Sequence, residues 1–301
     1  MHTPLTGSTW DRSEESRKDE AWLSQQWRSD EARAIIVRDG ALALTADGAL
    51  DWRPASDWGG VPTQPWVLVG VDEDSVARFA TSAIPEGRKT AHFSGFRELA
   101  GIIEVGRGSD LTNLAAALSI MNWHATHGFC ANCGSASEQT DAGWLRRCPA
   151  CGSEHYPRVD PAVIMIVTDG QERALLARQT RWPEKWFSTL AGFVEPGESV
   201  EAAVHREVGE EVSIGIDSVR YVASQPWPFP SSLMFGFHAI TFEESEPTPD
   251  GVEIAEARWF SRDEIKAANE DGSVLLPPRL SISRMLIEHW YGEELPVTWP
   301  R

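Results

Sequence analysis

Glu207, Glu210 and Glu211 lie within five residues of one another, and at about 3.6 residues per turn they share one face of a helix. Like charges so placed repel and destabilise the helix unless cations neutralise them. Val200, Ala203, Val204, Val208 and Val212 form the opposite, buried stripe. Carboxylates are hard oxygen ligands that suit Mg²⁺ or Mn²⁺ over zinc or copper. Such ions bridge a pyrophosphate, neutralise its charge and lower the pKa of an attacking water. Three neighbouring glutamates more often mark a solvated helix face. Here Gly192, Glu198 and Arg206 precede them at fixed offsets in GFVEPGESVEAAVHREVGEEVSI (192–214), and that combination argues for a site.

A second cluster offers different chemistry. The chain has four cysteines, arranged as Cys130-x₂-Cys133 and Cys148-x₂-Cys151 with fourteen residues between the pairs. Two such knuckles complete a tetrahedron of thiolates around Zn²⁺, and a closed set of this kind is structural because no position is open to substrate. Gly134 and Gly152 follow the second cysteine of each pair, where a tight turn calls for positive φ. A disulfide framework would spread its cysteines, and a redox CxxC would sit in a βαβ unit. His155 reads as an ordinary surface residue.

A third segment, SQPWPFPSS (224–232), has proline at alternate positions. Pro226, Pro228 and Pro230 supply no backbone donors and hold the chain extended. They present Trp227 and Phe229 either as rigid surfaces for stacking on a base or as core aromatics at a braced corner.

These residues need a scaffold. Ala34 to Val37 and Trp66 to Val71 read as strands, and Asp39 to Leu50 as hairpins around Asp-Gly turns. Leu111 to His127 has helical spacing, with Gly128 as a stop. The apolar run Ala162 to Val167 reads as a buried strand paired with Ala174 to Ala177 across Asp169-Gly170. Further strands are expected at Phe187 to Leu190, Val219 to Ser224 and Leu233 to Phe242, with helices at Ser199 to Val212 and Ile282 to Trp290. Interleaved strands and helices imply an α/β domain from about Arg158 onward.

The 301 residues are 42% hydrophobic and 24% charged, ordinary globular composition with room for two domains. No run approaches the roughly 18 apolar residues of a membrane span. The polar first twenty residues carry no secretory pattern, so the chain reads as cytoplasmic and its N-terminus as a loose tail. A net charge of −18 opposes a broad grip on nucleic acid. Arg146, Arg147, Arg158, Arg178, Arg181 and Lys185 cluster mid-chain and are read mostly as solvated faces.

The segment 192–214 resembles the Nudix hydrolase family, whose box is Gly-x₅-Glu-x₇-Arg-Glu-apolar-x-Glu-Glu-x-Gly-apolar. Every position matches except the last glycine, which is Ser213. Serine there is expected to cost some stability or to shift the turn toward Gly215. The resemblance implies Glu207 and Glu211 as metal ligands, with Glu210 sharing metals or orienting the water. It implies the Ala191 carbonyl as a further ligand, and Glu198 with Arg206 as an internal ion pair. The run SQPWPFPSS, together with a four-cysteine ribbon ahead of the box, is similar to the NudC-like NADH pyrophosphatases.

That likeness spans roughly Arg97 to Glu288. It implies that Gln225, Pro226, Trp227, Pro228, Phe229, Pro230, Ser231 and Ser232 line a dinucleotide site. Tyr156 would stack on substrate, and Arg97 and Ser283 match substrate-contacting positions more weakly. Glu253 would be the distal metal ligand, with Glu256 as the alternative. Gly143, before Trp144, departs from relatives that carry an acidic contact there.

The implied architecture is an α/β Nudix fold, a mixed sheet sandwiched by helices, over 158–301. It would follow a flexible tail (1–30), an α+β domain (31–125) and a Cys₄ zinc ribbon (126–157). The implied activity is hydrolysis of NADH or NAD⁺ to the nicotinamide mononucleotide plus AMP, by a homodimer with Mg²⁺ or Mn²⁺ at the catalytic site and structural Zn²⁺. Removal of an NAD cap from RNA is the alternative role, with Arg146, Arg147 and Arg158 as a local path for phosphates. A non-catalytic nucleotide-sensing regulator is the reading from another class.

Overall fold

The computed structural model describes residues 5–87, 92–95, 108–242, 245–296 and 299, with only the backbone given for 108–111. The chain forms two compact units. One comprises residues 7–159 with 228–231, the other 160–227 with 232–301 and the first six residues.

In the first unit, helix α1 (Glu20–Gln26) is capped by Asp19, whose side chain accepts from the Trp22 amide. Leu23 and Trp27 carry it into a core with Ala34, Leu68 and Phe79. Trp27 is 0% exposed and stacks on Phe79 at 4.5 Å. Residues 19–27 of the expected tail are therefore folded. Low average hydrophobicity over thirty residues concealed a few large apolar side chains on one short helix.

Strands β1 (Arg33–Arg38), β2 (Ala41–Leu44), β3 (Arg53–Pro54), β4 (Trp66–Val71), β5 (Ala77–Thr81) and β6 (His92–Gly95) form a sheet ordered β4-β5-β1-β2-β6, with β3 on β1. The turn from β1 to β2 takes positive φ at Asp39 and Gly40, as its Asp-Gly sequence predicts. Helix α2 (Gly108–Thr126) buries Leu114, Leu118 and Met121. The ribbon hairpins β7 (Glu138–Thr140), β8 (Leu145–Arg147) and β9 (Glu154–His155) are antiparallel.

The ribbon packs into the same unit. Gly143 has φ +94°, and a Cβ there would meet the Trp66 carbonyl oxygen at 2.4 Å. The indole N–H of Trp144 donates to the Leu68 carbonyl at 2.8 Å. Glycine at 143 thus answers a backbone approach that any side chain would block.

The second unit is built on β10 (Asp160–Thr168), β11 (Ala174–Gln179), β12 (Leu190–Phe193), β13 (Ser218–Trp227), β14 (Ser232–Ile240) and β15 (Ile254–Phe260). The order is β13-β14-β10-β11-β15, with β12 also on β10. The β10–β14 pairing is parallel and the others antiparallel, which makes the sheet mixed. The apolar run of β10 divides by its period of two. Val163, Met165 and Val167 pack with Val204, Val208 and Val212 of helix α3 (Val200–Val212). Ile164 and Ile166 pack with Ile265 of α4 (Arg262–Glu270) and with Ile282, Leu286 and Ile287 of α5 (Ile282–Tyr291). Helices therefore cover both faces, and a strand buried on both faces reads as continuous apolar sequence. The strand expected at Phe187 to Leu190 begins instead at Leu190, because Phe187 turns into the core and Ser188 makes only an isolated bridge to Ala177.

Candidate active site and metal centres

Helix α3 starts at Ser199, whose hydroxyl caps the Ala202 amide at 3.1 Å. It ends at Ser213 itself, in the left-handed conformation at φ 57° and ψ 35°. Serine thus takes the turn in place of glycine, and the turn does not move to Gly215. Between these ends, Glu207 and Glu211 point inward while the Glu210 side chain is 64% exposed.

Gly192 of β12 is where Glu207 needs space. A Cβ at 192 would lie 1.8 Å from the Glu207 carboxyl carbon. The next residue, Phe193, leaves its ring largely exposed while its carbonyl accepts from Arg206 at 2.8 Å. Arg206 organises the cluster, reaching Glu198 at 2.6 Å, Glu207 at 2.9 Å and Glu210 at 3.1 Å. Its hydrogen bonds hold the Glu198 carboxyl below its ordinary pKa, and Glu198 in turn raises that of Arg206. Glu198 also accepts the Glu195 amide at 2.7 Å, which closes the loop before α3.

Glu211 is 4% exposed. One backbone hydrogen bond reaches it from Ala191, and its Oε2 is buried with no hydrogen-bond partner. Burial, then the charges of Glu207, Glu253 and Asp250, push its pKa up to about 8. Burial likewise raises Glu207, against the pull of Arg206 and with the push of Glu210 and Glu253. Glu253 is exposed on the approach to β15, and its charge acts on both. Its carbonyl accepts the Thr180 amide at 2.9 Å and its amide donates to Asp250 at 3.1 Å. Glu256 is engaged elsewhere, 3.5 Å from Arg178 and 3.1 Å from Arg258. An orphaned buried oxygen among mutually repelling carboxylates fits a hard divalent cation.

The four cysteine sulfurs lie within 4.8 Å of one another, and the cross-knuckle pairs Cys130–Cys151 and Cys133–Cys148 stand at 3.6 and 3.5 Å. Zn–S bonds of about 2.3 Å place tetrahedral sulfurs about 3.8 Å apart, so the set fits zinc. The knuckles repeat one geometry. The Gly134 amide donates to the Cys130 carbonyl and the Gly152 amide to the Cys148 carbonyl, each at 2.9 Å. Both glycines have positive φ, 76° and 75°. His155 is more than a surface residue, because its Nε2 lies 3.3 Å from the Cys130 sulfur. Arg146 is buried, bonded to the Ser137 hydroxyl at 2.8 Å and to His124 at 3.0 Å, and is no path for phosphates. Burial drops the His124 pKa to about 4. Arg147 pairs with Glu154 at 2.6 Å, while Arg158 is exposed.

The proline-rich run is divided. Ser224 to Trp227 end β13, Ser232 opens β14, and Pro228 to Ser231 form the intervening turn with a cis Phe229–Pro230 bond. Pro226, Trp227, Phe229, Ser231 and Ser232 are partly exposed, Pro230 is exposed and Pro228 is buried. Two further expected substrate contacts are buried and hydrogen-bonded within the second unit. Gln225 is 0% exposed and clamps the start of α5, accepting the Ile282 amide and donating to the Leu280 carbonyl, both at 2.8 Å. Ser283 is also buried, its hydroxyl bonded to those of Ser188 at 2.7 Å and Thr189 at 2.9 Å. Tyr156 is exposed, with its hydroxyl donating to Glu154 at 3.1 Å. Arg97 lies outside the described residues.

A NUDIX domain model matches residues 158–277, and an NADH pyrophosphatase zinc ribbon model matches residues 125–156. A protein of Mycobacterium bovis (strain BCG / Pasteur 1173P2) named NAD-capped RNA hydrolase NudC is 39% identical over 298 residues, covering 93% of this chain and 92% of that protein. The chain belongs to the NudC-like Nudix hydrolases. The relative of the same name in Stutzerimonas stutzeri (strain A1501) is 47% identical over 60% of this chain and 62% of its own length. Human NAD-capped RNA hydrolase NUDT12 is 42% identical over 59% of this chain and 41% of its own length.

In a Nudix hydrolase of this branch the four thiolates are the structural zinc site of the ribbon, and His155 is the neighbour that orients one of them. The exposed ring of Phe193 was not singled out from the sequence.

Proposed function

We propose that this NudC-like hydrolase cleaves the pyrophosphate of NADH and NAD⁺, and the same bond at the NAD cap of RNA. The observation that carries the reading is the buried, unpartnered oxygen of Glu211, whose carboxyl feels the charges of Glu207 and Glu253. The names of the relatives give the substrate class, and the likeness runs through nearly the whole chain.

Glu207, Glu211, Glu253 and the Ala191 carbonyl would hold Mg²⁺ or Mn²⁺, which when bound neutralises pyrophosphate charge and acidifies the attacking water. Arg206 fixes Glu207 against the loop, Gly192 gives that carboxylate its room, and Glu210, paired with Arg206 but exposed at the helix surface, is placed to orient water or share a cation. The largely exposed ring of Phe193 offers a stacking surface for a ring end of the dinucleotide. Water oxygen bonds to one phosphorus, the bridging P–O bond breaks, and AMP leaves with the nicotinamide mononucleotide.

Incubation with NADH and Mg²⁺ or Mn²⁺, with products resolved by chromatography, tests this directly. AMP with reduced nicotinamide mononucleotide is the expected result. Tight NADH binding without cleavage at saturating metal would favour a nucleotide sensor instead.

We infer in addition a cytoplasmic homodimer. No described helix is long and apolar enough to cross a membrane, and the dimer rests on the family likeness. Light scattering on the purified chain tests the latter.

A further inference from the structure

Away from the carboxylates, the second unit gathers three tryptophans from distant parts of the chain. Trp186 stacks on Trp299 at 4.8 Å and 12°, and Trp182 meets Trp299 edge-on at 4.7 Å. All three rings stay partly exposed. Their backbone is fixed. The Trp182 amide donates to the Gln179 carbonyl and the Trp186 amide to the Pro183 carbonyl, each at 3.0 Å. The Leu275 amide donates to the Lys185 carbonyl at 2.7 Å, and the Trp299 indole N–H to the Leu275 carbonyl at 2.6 Å. Large rings held rigidly at a surface lose little freedom when a planar ligand stacks on them.

The cluster adjoins the site. Thr180 donates through its amide to the Glu253 carbonyl at 2.9 Å and through its hydroxyl to the Val252 carbonyl at 3.0 Å. Trp182 follows two residues later, within about 7 Å of extended chain. Arg181 and Lys185 are exposed beside the rings and form no ion pair among the described residues, although Arg181 bonds Gln179 at 2.9 Å. Two anions are close: exposed Glu184 lies between them in sequence, and Asp271 feels the Lys185 charge. Two exposed cations next in sequence to two of the indoles, with no ion pair among the described residues, form a local exception in a chain of net charge −18 and suit bases on a phosphate backbone.

We infer that Trp182, Trp186 and Trp299, with Arg181 and Lys185, form the platform on which the first nucleotides after an RNA cap stack. This rests on the reading that the carboxylate site cleaves NAD-capped RNA. Free NADH has no such nucleotides, so the platform affects one substrate and not the other. With few cations present, stacking carries most of the contact.

The test compares kcat/KM on NADH and on an NAD-capped oligoribonucleotide of about ten nucleotides. The proteins are the parent, the pair Trp182→Ala with Trp186→Ala, and the pair Arg181→Gln with Lys185→Gln. Anisotropy of a labelled, uncapped oligoribonucleotide is read in parallel. The tryptophan pair is expected to lose about tenfold or more on capped RNA, with NADH turnover unchanged. The charge pair, which alters only exposed side chains, is expected to lose a few-fold and to flatten the log–log salt dependence of binding by about 1.4. Capped-RNA rates unchanged in the charge pair, or equal losses on both substrates in either pair, would overturn the platform. If the parent cleaves neither substrate, the reaction reading fails, and the anisotropy alone decides the platform.

Discussion

The thiolate cluster and the carboxylate cluster are assembled by opposite means. The four cysteines come from two knuckles within 22 residues, and the same backbone turn presents each pair. The glutamates come from a helix and from the distant approach to β15, and Arg206 restrains Glu207 and Glu210 against their mutual repulsion. A local, closed ligand set makes its ion part of the fold. The proposed open set, built by a whole sheet, with burial and like charge raising the Glu207 and Glu211 pKa values, would make its ion part of the reaction.

The sharpest break of this comparison is Glu211→Gln. Turnover of NADH is expected to fall by about 10³-fold or more, while far-UV circular dichroism and zinc content stay unchanged. Retained activity would remove Glu211 from the metal set. Cys148→Ser should do the reverse at the other cluster. Zinc content falls below one equivalent and amide protection is lost across 130–155, while protection of α3 persists. Loss of α3 in the same experiment would mean that the ribbon is not a separate cooperative element.

A pH series in EDTA sharpens the contrast. Glu211 has a folded pKa of about 8, above the ordinary carboxylate value. Below that ordinary value both states hold the proton and nothing is lost. As pH rises toward 8 the unfolded chain releases its proton first, so the folded state loses stability. The melting temperature of the metal-free carboxylate domain should therefore drop by several degrees between pH 5 and 8 (roughly the window between the two pKa values). Glu211→Gln should flatten the slope, and Mn²⁺ should raise the melting temperature most at the alkaline end. A flat profile in the parent would mean that Glu211 is ionised at little cost. The smallest effect concerns the helix end. Ser213→Gly relieves a left-handed serine and should stabilise by about 1 kcal/mol in urea, with kcat unchanged.

What the sequence revealed followed the range of the interactions involved. The hairpin at Asp39-Gly40, the two glycine knuckles and the one-face placement of Glu207 and Glu211 depend on neighbours within a turn or two, and such patterns are legible. The central strand of the second unit was legible because both its faces are buried. The burial of Gln225 and Ser283 was not legible, because only the tertiary structure shows that their polar groups close hydrogen bonds at the start of α5. Arg146 looked like a solvent-facing cation, and only the packing of the ribbon against α2 reveals why it is inside. The α1 helix was lost in a polar average, and the requirement for Gly143 lies in the Trp66 carbonyl, far away in sequence.

The pairing of the second sheet sets an order of assembly. Strand β10 meets β12 at Ile164–Ala191, and α3 follows directly, so the box loop and its two inward glutamates form from contacts of short separation. Its parallel partner β14 arrives at Ile164–Gly236, and β15 must then join β11 to bring Glu253. Closing longer loops costs more entropy and slows folding. A chain emerging from the ribosome therefore gathers Glu207 and Glu211 well before Glu253. With the proposed metal set, the complete site would be a late product of synthesis, leaving a partly made protein little capacity for untimely hydrolysis.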